Sequence, residues 1–503
     1  MKVINKIYLT LFSKWFDIII LIFFNILSVT VILSKWSVEE YGIWLLFQIV
    51  YGVLYLPNMS LSEYVYNENF KKGKNNKKSI FLNIFSALPF AIINSLLIIL
   101  LLLIDKNFLF SNNLLNIPKF FNKEWNLILI IFSIIILFTS TIVNFFNQYL
   151  RLSGYYPHFS WLITVRRTTL LIIPLILIFF FNFDLFNSII SLAVIDIMYY
   201  LTNYFIIFKL IRKKIKLKFD FFRGFNFFKN SLIILLKNLI ENLSGPGIRI
   251  IISFIYNPIT VVIFSAMRTI ANIFRQITDG LRDFLIPEFS EIFIKKKIKV
   301  FQLYLEIYLT ILIFLFFPTM IILQFFTPKL FDLWTLGKIV FDDKLFLILN
   351  SAVLIYSTSF PLRIILQSKN LIYFNLKLSI LYIIIVITFI WIANLKSVIF
   401  LIGIGILCSE FINFFIIINK SKKILSKDKM QINFRIFYIC LLNLFFISYF
   451  CFFLIKNKIN TFETFVLIIV FLLYIYSLKY FLTCLSKHTI EKISHYFKDQ
   501  FKK

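Results

Sequence analysis

Long apolar runs separated by short polar segments follow one another along almost the whole of this chain. A helix needs about 20 residues to cross the hydrocarbon core of a bilayer, and it must satisfy its own backbone because no water is present there. The pattern therefore predicts an all-α integral membrane protein with about 14 transmembrane helices. The predicted spans are 15–33, 41–62, 79–104, 125–147, 159–182, 185–208, 231–256, 259–284, 301–326, 344–367, 371–394, 396–419, 433–455 and 462–485.

The first of these runs has a second interpretation. Lys2, Lys6 and Lys14 precede it, as positive residues precede the apolar part of a secretory signal peptide. The run is too long for that part, and no small-x-small cleavage site follows it. We therefore expect a membrane span.

Lysine and arginine residues are concentrated in alternate connections between the predicted spans. The positive-inside rule assigns such connections to the cytoplasm, and an even number of spans then places both termini there. The basic segments on this side are 71–78, 209–218, 295–299, 420–429 and 502–503.

The composition agrees with a membrane protein, and the charge adds a partner. Of the 503 residues 60% are hydrophobic and only 15% are charged, yet the net charge is +29. The basic clusters adjoin membrane spans, where they meet anionic lipid headgroups. We therefore expect membrane lipids, and no nucleic acid, as partners of these clusters.

No connection between spans is long enough to hold a folded soluble domain; the longest are 105–124, 209–229 and 328–344. Enzymes that form glycosidic bonds in membranes usually carry their acidic residues on large loops, so the chain is predicted not to be an enzyme. It also lacks a nucleotide-binding loop of the GxxxxGK[ST] type. We expect the function to reside within the helical bundle, which favours transport.

Neither a cofactor nor a metal site is predicted. The four cysteines lie in apolar spans without a metal-ligand spacing, and we expect free thiols packed as small hydrophobic groups. They are Cys408, Cys440, Cys451 and Cys484.

Two segments suggest an internal duplication. Residues 37–44 begin a helix that ends in acidic residues and is followed by lysines, and residues 257–264 begin a similar one. Parallel repeats joined by a basic linker are a known transporter architecture. The predicted organisation is an N-terminal six-helix lobe at 1–208, a cytoplasmic linker at 209–230, a C-terminal six-helix lobe at 231–419 related to the first by a pseudo-twofold axis, and two further helices with a basic tail at 420–503.

The same two regions carry a resemblance to a known family. The segments WSVEEYGIWLL (36–46), LSEYVYNENFKKGKNNKK (61–78) and NPITVVIFSAMRTIANIFRQITDGLRDFLIPEFSEIF (257–293) resemble Wzx-type polysaccharide flippases. These are the O-antigen and capsule repeat-unit translocases of the multidrug/oligosaccharidyl-lipid/polysaccharide exporter superfamily.

The resemblance implies a substrate and a location. The substrate is an isoprenoid-diphosphate-linked oligosaccharide, carried from the cytoplasmic to the outer leaflet of the bacterial inner membrane for synthesis of lipopolysaccharide or capsule. Other polysaccharide-assembly proteins are implied as partners. Alternating access by the two lobes would move the sugar without covalent chemistry, and an ion gradient or consumption of the product would supply any drive.

Ionisable residues within spans are costly, so they usually face a cavity or a partner. The candidates for lining a substrate cavity are Arg166, Arg167, Lys237, Arg249, Arg268 and Arg275. Arg268, Arg275 and Arg282 are spaced by seven and so share one helix face. Guanidinium groups there suit a diphosphate; for Arg282, neutralisation by Asp279 and Asp283 is the alternative.

The seventh predicted span contains Gly245, Pro246 and Gly247, which should interrupt its helix. Interrupted helices often border transport sites, although a simple packing kink has the same sequence signature. Glu241 and Asp196 are candidates for ion coupling; pairing with Lys237 or a neighbouring arginine is the other interpretation. Glu306 and Glu410 stand as isolated acids in the ninth and twelfth spans.

Two other functions remain open. A drug/cation antiporter of the same superfamily should have acidic and aromatic lining rather than arginines. A membrane polysaccharide polymerase or ligase should carry a large extracytoplasmic loop, whereas the outer connections here are short.

Overall fold

The computed structural model describes residues 2–71, 77–104, 156–211, 219–273, 275–276, 298–368, 371–396, 398–427, 432–455 and 461–486, with isolated residues between 128 and 147. Every regular element in these ranges is a helix, which confirms the predicted all-α class. Most of the predicted fourth span lies outside the described residues, as do Asp279, Arg282, Asp283 and the basic tail.

The chain forms two compact units, Met1–Ser265 and Ala266–Lys503. The first contains α1 (Lys2–Lys35), α2 (Val38–Lys71), α3 (Lys77–Ile104), α4 (Tyr156–Phe181), α5 (Leu185–Ile211), α6 (Phe221–Ser244) and α7 (Ile248–Ile255). The boundary falls within α8 (Pro258–Ile273). The second contains α9 (Ile298–Ile311), a π-helical turn (Leu312–Phe316), α10 (Phe317–Trp334), α11 (Asp343–Ser368), α12 (Ile372–Lys396), α13 (Phe400–Lys427), α14 (Arg435–Leu454) and α15 (Thr461–Cys484).

Ten helices in the described part of the chain are long and apolar enough to cross a membrane. They are α2 to α5, the continuous helix from α9 through α10, and α11 to α15, and two shorter apolar helices, Ile19–Lys35 and α8, accompany them. The chain is therefore a multi-pass membrane protein.

The predicted seventh span is divided between α6 and α7. Charged residues recur along α6, namely Arg223, Lys229, Lys237 and Glu241, so its composition is less apolar than that of the ten long helices. Its apolar residues meet the core instead, and it packs against α2 and α3.

Gly224 allows α6 to approach α3 closely. A Cβ atom at this position would lie 2.0 Å from the carbonyl oxygen of Ser86. The side chain of Asp220 accepts a hydrogen bond from the backbone N–H of Arg223 and so caps the first turn of α6, while the Asp220 N–H donates to Ser86 Oγ at 3.0 Å. The start of α6 is thereby fixed on the α3 backbone.

The most enclosed helix of the second unit is α11, of which 94% of the apolar window is buried. Its neighbours include α10, α13 and α14. Hydroxyl side chains such as Ser357 and Thr358 bond to carbonyls one turn earlier, so the helix buries them without unsatisfied donors. Residues on α11 are therefore held rigidly, and this helix supplies much of the candidate site.

We predict that Gly224→Ala destabilises the protein by about 1–3 kcal/mol, because the new methyl group overlaps backbone that cannot move aside. The matched control is Gly52→Ala in α2, where nothing lies within 4 Å of the added Cβ. That substitution should be neutral or stabilising by up to about 1 kcal/mol. Equal stability of the two variants in detergent unfolding would contradict the close approach of α6 to α3.

Candidate functional site

A pocket with several charged groups lies within the second unit, formed by α8 with its following residues, α11, α12 and α13. Its volume is about 320 Å³, part of it open to solvent. Small and aliphatic residues, among them Ala271 and Ala352, form the rest of the wall. The polar lining residues are Arg268, Asn272, Arg275, Tyr356, Tyr382 and Glu410.

Two guanidinium groups lie against the ring of Tyr356. The Cζ atom of Arg275 is 4.5 Å from the ring centroid, and that of Arg363 is 4.6 Å from it. An aromatic face attracts cations within about 6 Å. The buried Tyr356 ring therefore holds two like charges near each other, an arrangement that their mutual repulsion would otherwise oppose.

Glu410 pairs with Arg363, so the prediction of an isolated acid in the twelfth span is wrong. The Nη2 atom of Arg363 donates to Oε2 of Glu410 at 2.9 Å, and its Nε donates to Ser359 Oγ at 2.9 Å. The carboxylate side chain is only 8% exposed. The pair fixes one guanidinium at the pocket and compensates the charge of a buried carboxylate.

Tyr382 completes the polar lining from α12. This buried tyrosine lies close enough to Glu410, Arg268 and Arg275 to interact electrostatically with all three. Arg268 and Arg275, which the sequence placed on one face of a helix, thus both line this pocket. The third member of that series, Arg282, lies outside the described residues.

Glu306 is likewise bound rather than isolated. Its carboxylate accepts hydrogen bonds from Gln302 Nε2 at 2.7 Å and from the Ser486 backbone N–H and hydroxyl at 2.9 and 2.7 Å. The acid therefore ties α9 to the residues that follow α15.

A second charged cluster lies in the first unit. Arg166 on α4 donates from Nε and Nη2 to the two carboxylate oxygens of Asp196 on α5, at 2.9 and 3.0 Å. The Tyr51 hydroxyl from α2 donates to the same carboxylate. Asp196, a predicted ion-coupling residue, and Arg166, a predicted cavity residue, are thus partners of each other. The sequence had offered such pairing as the alternative.

The other predicted site residues of the first unit are dispersed. Arg167 is exposed on α4. Arg249 on α7 is half-buried and lies within electrostatic range of the buried Tyr41; its Nε has no hydrogen-bond partner among the described residues. Lys237 and Glu241 form an i,i+4 pair at 3.6 Å whose carboxylate side chain is 43% exposed.

The chain leaves the helical path between α6 and α7. The Gly245 N–H bonds to the carbonyls of Glu241 and Asn242, and the Gly247 N–H also bonds to Asn242. A Cβ on Gly247 would lie 2.7 Å from Leu243 Cα, so the turn requires glycine there. Pro246 between them is exposed.

Sequence reasoning did not single out Arg363, Tyr356 or Tyr382. Arg363 lies near the end of its predicted span, where lysines and arginines commonly reach the interface. A signal was present, because an arginine in one span and Glu410 in another form a plausible compensating pair. The role of the tyrosines depends on which faces of three helices meet, and no sequence spacing indicated that.

Comparison with known proteins places the fold. No family model matches the chain, and no curated protein matches it. Among solved structures, a MOP superfamily transporter from Pyrococcus furiosus, described as having a binding pocket of reversed polarity, matches with a TM-score of 0.61 at 13% identity over 85% of this chain and 96% of its own. The lipid II flippase MurJ matches at 0.59 with 16% identity over 94% and 98%. The Vibrio cholerae MATE transporter VcmN matches at 0.58 with 14% identity over 84% and 97%.

These likenesses define the class of the protein. The chain is a multi-pass membrane protein with the fold of MOP superfamily transporters. The structures similar to it are transporters and flippases rather than enzymes.

We predict that Arg363→Met and Glu410→Met each destabilise the protein, since each leaves a buried charge uncompensated. The double substitution should be less harmful than the sum of the two, with a coupling of about 1–3 kcal/mol in detergent unfolding. The same cycle at Lys237 and Glu241 should give less than about 1 kcal/mol, because that pair is more exposed. Similar coupling at the two pairs would contradict the structural role of Glu410.

Proposed function

We propose that the protein is a flippase that moves an isoprenoid-diphosphate-linked oligosaccharide from the cytoplasmic to the outer leaflet. The observation that carries this proposal is the accumulation of guanidinium groups at the pocket of the second unit, where Arg268, Arg275 and Arg363 accompany a single described carboxylate, Glu410. A site with this excess of positive charge suits an anionic ligand rather than a cationic one.

The chemistry of a diphosphate linkage fits this site. Guanidinium groups offer paired N–H donors to phosphate oxygens and stay ionised at all physiological pH values. A volume of about 320 Å³ is at the lower end of the range for small-molecule pockets, roughly 300–1,000 Å³. It suits the charged linkage of the lipid-linked sugar, and the polyprenyl chain and most of the glycan would lie outside it.

The remaining parts of the proposal come from the sequence. Its lysine and arginine distribution favours cytoplasmic termini, and its family resemblance favours a Wzx-type flippase of a bacterial inner membrane that supplies O-antigen or capsule synthesis. Two six-helix lobes working by alternating access, with two additional helices, are the organisation we propose. Other polysaccharide-assembly proteins would receive the product.

A drug/cation antiporter is the second candidate, since MATE transporters are among the proteins of similar fold. Such a protein requires carboxylates available to a cation. Asp196 is bonded to Arg166, Glu410 to Arg363, and Glu306 to Gln302 and Ser486. These pairings favour the flippase over the antiporter.

We predict that a strain lacking this protein accumulates lipid-linked oligosaccharide in the cytoplasmic leaflet. The measurement is the amount of this glycolipid in each leaflet, scored by its accessibility to a membrane-impermeant reagent. Equal delivery to the outer leaflet with and without the protein would refute the proposal.

We further predict that Arg268→Ala and Arg275→Ala each weaken binding of the glycolipid about 10- to 100-fold while expression stays normal, since a charge-assisted hydrogen bond contributes about 1.5–3 kcal/mol. Lysine at either position should restore part of the activity, because it keeps the charge but not the paired donors. Lys396→Ala, at an exposed position in the same unit, serves as the control. Full translocation by the double alanine variant would assign these arginines a structural role.

A further inference from the structure

The charged cluster of the first unit has the composition of a site for an organic cation. Three tyrosine rings surround the Cζ atom of Arg166, with centroids at 5.1 Å for Tyr200, 5.6 Å for Tyr55 and 5.8 Å for Tyr199. The carboxylate of Asp196 supplies the compensating charge at 2.9 Å.

Such a combination of aromatic faces and one carboxylate is what proteins use to bind ligand cations. The faces of several rings attract a delocalised cation, and the carboxylate neutralises it in a medium of low dielectric constant. Here the chain itself supplies the cation. The fourth tyrosine, Tyr51, donates its hydroxyl to Asp196 and accepts a hydrogen bond from Arg166 Nη2 at 3.3 Å.

We propose that the tyrosines and Asp196 form a cation-binding site whose permanent occupant is the guanidinium group of Arg166. The site would not exchange this group for an external cation during the transport cycle, because the tethered guanidinium makes two hydrogen bonds to Asp196 that an alkali ion cannot replace. Emptied by substitution, the site would bind small alkylguanidinium ions. This inference is independent of the proposed function.

The proposal assigns Asp196 a different role from ion coupling. Asp196 is fully buried, whereas the side chain of Arg166 is 21% exposed, so a small ion could reach the site from the side that the arginine now fills. Any ion that drives transport would then have to bind elsewhere in the protein.

The test is rescue of the full-length protein carrying Arg166→Ala by ethylguanidinium, which has the atoms that this substitution removes. Thermal unfolding in detergent micelles is followed over a series of ethylguanidinium concentrations. A saturable stabilisation is expected. At ten times the dissociation constant, binding to the folded form should shift the unfolding equilibrium about 11-fold.

Two controls separate binding at this site from general effects of the salt. Arg167→Ala removes the adjacent, exposed arginine and should respond like the wild type, without saturation. Arg166→Ala combined with Asp196→Asn lacks the carboxylate and should lose the saturable response. A folded Arg166→Ala protein that shows no such response would overturn the proposal.

The wild-type protein provides the opposite test. It should show no saturable stabilisation by ethylguanidinium, tetramethylammonium or sodium. If it does, and if Asp196→Asn abolishes the effect, Asp196 belongs to an exchangeable cation site and the proposal is wrong.

If Arg166→Ala does not fold even when ethylguanidinium is present, the tyrosine rings can be tested in the otherwise native chain. Tyr200→Phe keeps the aromatic face and should unfold near the wild-type temperature, whereas Tyr200→Leu removes the face and should unfold at a lower one. Equal unfolding temperatures for these two variants would show that the ring does not hold the guanidinium, and would also overturn the proposal.

Discussion

An ionised side chain within a membrane-spanning helix costs about 2.5–3.5 kcal/mol on insertion scales unless another polar group compensates it. The charged residues of this protein follow that constraint closely. Arg166 finds Asp196, Arg363 finds Glu410, and Glu306 finds the donors of Gln302 and Ser486. Each of these contacts joins two segments of the chain, so the same pairs that remove the electrostatic penalty also fix which helices adjoin.

The two units use this constraint in different ways. In the first, one arginine and one aspartate neutralise each other inside a group of tyrosines, and the cluster is satisfied by its own members. In the second, Arg268, Arg275 and Arg363 accompany Glu410 around a pocket. That excess of positive charge is what makes the second cluster suited to an anionic ligand, whereas the first is suited to hold helices together.

Aromatic rings make both arrangements feasible. Tyr356 contacts the guanidinium groups of Arg275 and Arg363, and Tyr55, Tyr199 and Tyr200 contact that of Arg166. Cation–π attraction strengthens where water is excluded, so it contributes most at such half-buried positions. Tyrosine also presents a hydroxyl group, through which Tyr51 reaches the carboxylate of Asp196.

The sequence by itself determined the class of this protein, because twenty-residue apolar runs have no stable alternative to helices in a bilayer. It also indicated that Arg268 and Arg275 share a helix face, since that spacing is a local property of the helix. Tertiary structure alone decided which charges meet. Arg363 and Glu410 are 47 residues apart and Tyr51 and Asp196 are 145 apart, and helical periodicity carries no information about contacts over such separations. Only the packing of helix faces brings Tyr356 and Tyr382 to the arginines, and with them the difference between a neutralised cluster and a pocket that retains positive charge.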